Sequence, residues 1–330
     1  MSLEPKNNYW QPNASFFNLQ ARAACLAEVR HFFEQRNVLE VETPLMCRAA
    51  ATDPYLQPIP VSYLGPHVRS SQPYFLQTSP EYAMKRLLAA GSGPIYQICK
   101  VFRNDEVGRL HNPEFSLLEW YRPGFDHHDL MGEMEALLCT VLGVPPAEQL
   151  SYEAVFQRHL ALNPHHASKQ ALQDCARAHS IMLSESVIDS LTTDDWLDVL
   201  MTHCIEPHLG FERPLMIYDY PASKAALAKV RSGNPPVAER FEVYVQGVEL
   251  ANGYHELTDP KVQQARFERD SALRKSLNYP AIPLDQYLLE ALAAGLPACA
   301  GVALGLDRLL MLKLHSDHIK DVIAFTIERA

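Results

Sequence analysis

The sequence predicts an α+β fold in which an antiparallel sheet is flanked by helices. Three observations carry this. Residues 240–245 and 248–251 are strand-like runs joined by the two-residue turn Gln246-Gly247, which is hairpin spacing. Residues 95–102 and 115–121 make a second strand pair across a polar loop at 104–113. Helix-spaced apolar residues surround both, as at 18–36, where Leu19, Ala23, Leu26, Val29, Phe32 and Phe33 share one side.

In chain order, residues 1–17 read as a polar arm and 18–330 as one domain. The helix at 18–36 ends at Asn37. A short strand follows at 38–44, and Pro44 stops its ladder. Ser79-Pro80-Glu81 starts a helix that closes at Gly91. In the strand at 115–121, alternation puts Phe115, Leu117, Glu119 and Tyr121 on one face. Residues 126–207 are mainly helical packing or insertion. In the hairpin, Tyr244 should face Glu249 and Glu242 should face Ala251. Glu242 and Glu249 then lie diagonally at about 7–8 Å, where two carboxylates can hold a divalent cation against a phosphate. Asn252 joins that face only if the strand bulges near Gly253. Residues 260–294 read as helical. Residues 301–312 begin as a strand and end as a helix. Gly305 permits close approach of a ligand. Arg308 sits in the first helical turn, where the dipole disfavours a cation unless an anion such as phosphate accompanies it.

With 330 residues and a net charge of −10, a large nucleic-acid footprint is not expected, whereas a lysine-bearing partner suits the charge. No run of about 18 apolar residues suggests a membrane span. No signal peptide is seen, and the seven cysteines show no Cys-x-x-Cys spacing, so a cytoplasmic protein with reduced thiols is expected. The pairs His127-His128 and His165-His166 read as surface residues with diverging rings, and no metal-binding histidine spacing occurs. P-loop, Gly-x-Gly-x-x-Gly and Gly-x-Ser-x-Gly signatures are missing. A bound nucleotide would need one Arg for the α-phosphate, a second for the terminal phosphate, acids for Mg²⁺ and an aromatic for the base. Arg103, Arg308, Glu242 with Glu249, and Phe115 fill those slots.

Several spaced blocks resemble the class II aminoacyl-tRNA synthetase catalytic domain from about residue 18 to 330. Val41-Glu42-Thr43-Pro44 resembles motif 1. Residues 102–115, with Phe102-Arg103-Asn104-Asp105 and His111-Asn112-Pro113-Glu114-Phe115, resemble motif 2, and 301–308 resembles motif 3. Within the class, Ser79-Pro80-Glu81-Tyr82, Pro221-Ala222-Ser223, Arg240-Phe241-Glu242 and residues 249–257 are similar to lysyl-tRNA synthetases. Three departures stand out. No anticodon-binding domain precedes the first helix, Asp105-Glu106 replaces a single Glu, and Ala303 replaces a motif 3 glycine. Together with Leu118-Glu119-Trp120-Tyr121-Arg122-Pro123, they are similar to the elongation factor P–lysine ligase family.

The resemblance implies ATP-dependent activation of (R)-β-lysine as an adenylate and transfer to a lysine ε-amine of elongation factor P, with Mg²⁺ and no tRNA. It implies a homodimer through motif 1. Arg103 would bind the α-phosphate and substrate carboxylate, and Arg308 the γ-phosphate. Adenine would stack between Phe115 and Arg308. Asn104, Asp105, Asn112, Leu250 and Gly305 would line the nucleotide, and His111 would meet the triphosphate. Glu242 and Glu249 would hold Mg²⁺. Glu256 and Tyr121 would receive the side-chain ammonium. Glu81, with Ser79, Pro80, Glu119 and Asn252, would meet the other amine, and Ala303 would shape the pocket. Two other readings stay open at this level: a truncated synthetase-like enzyme acting on RNA or a small amine, and an inactive regulatory paralogue. No general base for the transfer step can be named.

Overall fold

The computed structural model describes residues 9–65, 73–104 and 106–330. Helix α1 (Phe16–Glu34) starts two residues before the apolar spacing predicts, because the Ser15 side chain caps it by accepting the Asn18 N–H at 3.1 Å. Four short strands follow: β1 (Leu39–Glu40), β2 (Met46–Cys47), β3 (Ile59–Val61) and β4 (Tyr74–Leu76). The predicted 38–44 strand thus shrinks to two residues. Helix α2 (Glu81–Ala89) has Pro80 at its cap, and Gly91 turns the chain away with φ 88°. Strand β5 (Ile95–Phe102) has the predicted bounds, and β6 (Glu114–Pro123) runs slightly longer than expected.

Five helices follow: α3 (His127–Leu142), α4 (Tyr152–Leu160), α5 (Lys169–Ala178), α6 (Glu185–Ser190) and α7 (Thr193–Leu200), with β7 (Glu148–Ser151) between the first two. Their starts obey capping chemistry. Asp126 with Asp129 and Thr192 with Asp195 form capping boxes, and Ser151 and Ser168 cap α4 and α5. Then come β8 (Leu215–Pro221), β9 (Val230–Arg231), β10 (Val237–Val245) and β11 (Val248–His255). The stretch read as helical over 260–294 is two helices, α8 (Pro260–Ser276) and α9 (Gln286–Gly295). The break has local causes: Asn278 adopts φ 58°, and Pro280 and Pro283 cannot continue a helix. Strand β12 (Cys299–Gly305) leads directly into α10 (Leu306–Lys313), as predicted.

Two compact units emerge. The first comprises the described part of Met1–Trp120 with Asp259–Leu296 and Leu304–Ala330. In it β1 lies parallel to β5, β5 neighbours β6, and β2, β4 and β3 form a separate small sheet. Helix α9 packs on α2 and α8.

The second unit is Tyr121–Thr258 with Pro297–Ala303. Its sheet runs β12-β11-β10-β8-β7, with β9 against β10. Helix α3 packs on β10 and β11, and α4 on β8. The helical region at 126–207 supplies this unit's core, where Phe156, Leu200 and Ile205 meet Ile217 with no exposed surface. Each such side chain contributes about 1.5–3 kcal/mol relative to an exposed one.

The β10–β11 hairpin corrects the predicted register. Tyr244 faces Glu249 as expected, but Glu242 faces Asn252 and Val243 faces Ala251, with a shift between Val243 and Tyr244. Leu250 is the extra residue. The bulge therefore falls three residues before Gly253, and it brings Glu242, Tyr244, Glu249 and Asn252 onto one face. Gly253 has a different task. A Cβ there would meet the Phe241 ring at 2.4 Å.

Candidate active site

In the first unit, β5 and β6 present the motif 2 residues and the start of α10 presents Arg308. Arg103 follows β5. Its guanidinium carbon lies 5.0 Å from the Phe115 ring centroid, a cation–π distance. Its Nη1 is 3.5 Å from Glu106 Oε1, and its buried Nε has no hydrogen-bond partner among the described residues. Such an orphan donor beside an aromatic face is what an anionic ligand would satisfy. The cation over Phe115 here is Arg103, whereas Arg308 reaches the motif 2 loop.

Arg308 Nη2 lies 2.7 Å from His111 Nε2 and its Nε is 3.5 Å from the Leu110 carbonyl. The histidine nitrogen must accept, so it must be unprotonated. Burial, and then the Arg308 charge, hold the His111 pKa below its ordinary value of 6.5. Above that value the imidazole is neutral in folded and unfolded chains alike, and the contact is intact. As pH falls through the lowered folded-state pKa, two cations face each other and the contact is lost. The KM for ATP is therefore expected to rise roughly fivefold as pH falls from neutrality through the lowered His111 pKa. His111→Gln, which keeps an acceptor without titrating, should flatten that rise. A rise in KM that His111→Gln leaves in place would remove His111 from the nucleotide site.

Asn112 is buried with its amide committed. Its Nδ2 donates to the Glu114 carbonyl at 2.6 Å and its Oδ1 accepts the Ile327 N–H at 3.0 Å. That geometry braces the loop against the C-terminal segment. Asn104 is exposed, its N–H bonded to the Gln57 carbonyl at 2.8 Å. Asp105 lies outside the described residues. Gly305 occupies the cap position of α10, half-buried.

The same unit holds a compact acidic group. Glu119 on β6 is buried and accepts the Ser79 hydroxyl at 2.8 Å. The Ser79 Oγ in turn accepts the Glu81 N–H at 3.0 Å, and buried Pro80 stiffens the turn between them. Glu81 pairs with the fully buried Lys85 at 2.6 Å, one helical turn on. Burial and the Glu119 charge push the Cys99 thiol up to about 12, so it stays protonated.

In the second unit, Glu242 gathers hydrogen bonds. Its carboxylate accepts from Tyr220 at 2.6 Å, Tyr244 at 2.7 Å, Asn252 at 3.3 Å, and Arg240. Burial and the Glu242 charge keep the phenols of Tyr220 and Tyr244 well above their ordinary range, so both remain donors. These four donors take up the carboxylate's lone-pair capacity. Glu242 would therefore give up a donor to bind Mg²⁺ directly, while Glu249 lies half-buried on the same face. The donor set of hard carboxylate oxygens fits that cation.

Nearby in this unit, Tyr121 and Glu256 are both buried, and the Glu256 N–H bonds the Cys299 carbonyl at 2.9 Å. Both close on Gly301. A Cβ there would sit 2.2 Å from the Tyr121 ring and 2.7 Å from Glu256 Oε1. Strand alternation turns Ala303 to the same side, where it is half-buried. Leu250, at the bulge, is buried.

Two features escaped the sequence reading. His127 is 2 % exposed, not a surface residue, and its ring lies 4.1 Å from that of His128 instead of diverging. With Glu239 and His255 it forms a group whose ligand atoms lie within 4.8 Å of one another. Lys229 and Arg231 approach Glu239 at 3.9 and 3.4 Å, so its charge is already matched. The other is a ring of contacts through Arg22 and Asp307. Sequence spacing could not find either, because the partners lie far apart in the chain.

Residues 10–329 match the family of tRNA synthetases class II (D, K and N). The chain is 53% identical over 321 residues to proteins named elongation factor P–(R)-β-lysine ligase from Salmonella paratyphi B, Salmonella schwarzengrund and Salmonella paratyphi C, covering 97% of this chain and 98% of each relative. This chain belongs to the class II aminoacyl-tRNA synthetase family, in the branch that holds these ligases.

Proposed function

We propose that this chain joins (R)-β-lysine to a lysine ε-amine of elongation factor P, using ATP and passing through a β-lysyl adenylate. The observation that carries this reading is the 53% identity, over 97% of the chain, to ligases of that name. No helix among the described residues is long and apolar enough to cross a membrane, and all seven cysteines are free, which supports a cytoplasmic reaction. Apolar Leu39, Leu45 and Met46 are exposed around the motif 1 strand, which supports a homodimer through that edge.

In the first step a carboxylate oxygen attacks the α-phosphorus and pyrophosphate leaves. Arg103 is assigned to the α-phosphate and the substrate carboxylate, where its fork spreads over developing charge. Arg308, with His111, is assigned to the terminal phosphate, and Phe115 to the adenine. Mg²⁺, held by Glu249 and Glu242, would neutralise the leaving group. Glu256 with Tyr121 is assigned to one ammonium of the substrate, and Glu81 with Glu119 to the other. A dicationic substrate explains acids at both places. In the second step the neutral acceptor amine attacks the carbonyl carbon, AMP leaves with the bonding pair, and the amine loses a proton.

The test is mass spectrometry of elongation factor P and of tRNA after incubation with the protein, ATP, Mg²⁺ and either lysine isomer. A gain of one β-lysyl group on elongation factor P is expected. Gain on tRNA alone would overturn the reading, and no adenylate at all would favour a regulatory paralogue.

Ala303 is assigned to isomer choice. Its methyl group fills space that a glycine would open, and one methyl in a pocket changes discrimination by about 10–200-fold. Ala303→Gly is expected to shift the kcat/KM ratio toward α-lysine by at least about tenfold, measured by pyrophosphate exchange. An unchanged ratio would defeat the assignment.

A further inference from the structure

Three contacts in the first unit close a ring. Arg22, in the second turn of α1, donates from Nη1 to Asp307 Oδ1 at 2.5 Å and from Nη2 to Ser116 Oγ at 2.7 Å. The Ser116 N–H donates to the other Asp307 oxygen, Oδ2, at 2.7 Å. Arg22 Nη1 also reaches the Val322 carbonyl at 3.2 Å. Asp307 is 2 % exposed and Ser116 4 %, so the acceptor side of the ring is shielded from water and its charge-assisted bonds are strong, while the Arg22 side chain is 19 % exposed. The base from which Arg22 reaches is rigid: Cys25, Val29, Phe32 and Phe33 bury the following turns of α1.

The chain neighbours give the ring its meaning. Ser116 follows Phe115, and Asp307 precedes Arg308. Successive residues of a strand point to opposite faces, so the ring lies behind the Phe115 side chain, away from anything that stacks on it. Asp307 is also the second residue of α10, where the helix dipole favours a carboxylate.

We propose that Arg22 is a positioning residue for the nucleotide. Its guanidinium ties the residue after Phe115 to the residue before Arg308, and so fixes the spacing of the aromatic ring and the phosphate-binding guanidinium. A planar fork holds a carboxylate and a hydroxyl in fixed directions. A lysine is a single point of charge. The proposal rests on the reading that Phe115 and Arg308 hold ATP.

The experiment compares Arg22→Gln, Arg22→Lys, Phe115→Ala and the Arg22→Gln/Phe115→Ala double variant by ATP–pyrophosphate exchange, with Tm measured for each. Arg22→Gln is expected to raise the KM for ATP about tenfold or more, as small displacements of positioned groups do, and to leave the KM for β-lysine nearly unchanged. Arg22→Lys should fall between Arg22→Gln and wild type. The double variant should bind ATP hardly worse than Phe115→Ala alone, because both changes act on one clamp. A fall in Tm with the KM for ATP within about twofold of wild type would make Arg22 merely structural and overturn the proposal. Should Arg22→Gln not fold, Arg22→Lys is judged by the same criterion. A Phe115→Ala variant with an unaltered KM for ATP would instead overturn the nucleotide reading itself, and the proposal with it.

Discussion

Alanine at Gly301 is expected to lower kcat/KM for β-lysine by about a hundredfold or more, the scale on which displaced positioning groups act. The added Cβ would lie 2.2 Å from a Tyr121 ring carbon and 2.7 Å from Glu256 Oε1. Both neighbours are buried side chains. Tyr121 is 2 % and Glu256 1 % exposed, and the Glu256 backbone is tied to Cys299 at 2.9 Å. One methyl group therefore pushes apart the two side chains assigned to the substrate ammonium. Overpacking of this kind costs stability by about 1–3 kcal/mol, so the variant should still fold. The effect should appear in the KM for lysine and spare the KM for ATP. A variant with kcat/KM within about threefold of wild type would show that Tyr121 and Glu256 do not grip the substrate.

That vulnerable glycine could be read as a motif position but not as a contact, and the same division runs through the molecule. Strand β5, the Gln246-Gly247 turn and the β12-to-α10 junction follow from alternation, turn chemistry and a helix start, all local rules. The hairpin register does not. Leu250 is an ordinary strand residue in every local respect, yet it is the one left unpaired, and Asn252 thereby lies opposite Glu242. Arg22 reads as one polar position on an amphipathic helix. Its partner Asp307 lies 285 residues away, and no spacing rule connects them. His127 fails for the reverse reason. An adjacent histidine pair suggests surface, but α3 packs on β10 and β11 and buries the first of the two. The residue types assigned to the site could be proposed from the sequence because phosphate and ammonium recognition demand particular side chains. Which of those residues are braced by others could not, because bracing is tertiary.

Loss of the Arg103 fork should produce the largest chemical defect. Arg103→Gln is expected to reduce the rate of pyrophosphate exchange by about a thousandfold, the upper range for removing a preorganised donor from developing charge. Two observations argue that the site depends on the whole guanidinium, not on charge alone. It lies 5.0 Å from the Phe115 ring centroid, where a planar cation gains from the aromatic face. Its Nε is buried without a hydrogen-bond partner among the described residues, and an anionic ligand would supply one. Arg103→Lys keeps the charge but loses the plane, the fork and that Nε. It should recover less than about a tenth of the lost rate. The defect should fall mainly on kcat, since charge on the α-phosphate develops most in the transition state. A lysine variant close to wild type would mean that a point charge suffices, and that the orphan Nε has no part in binding the phosphate.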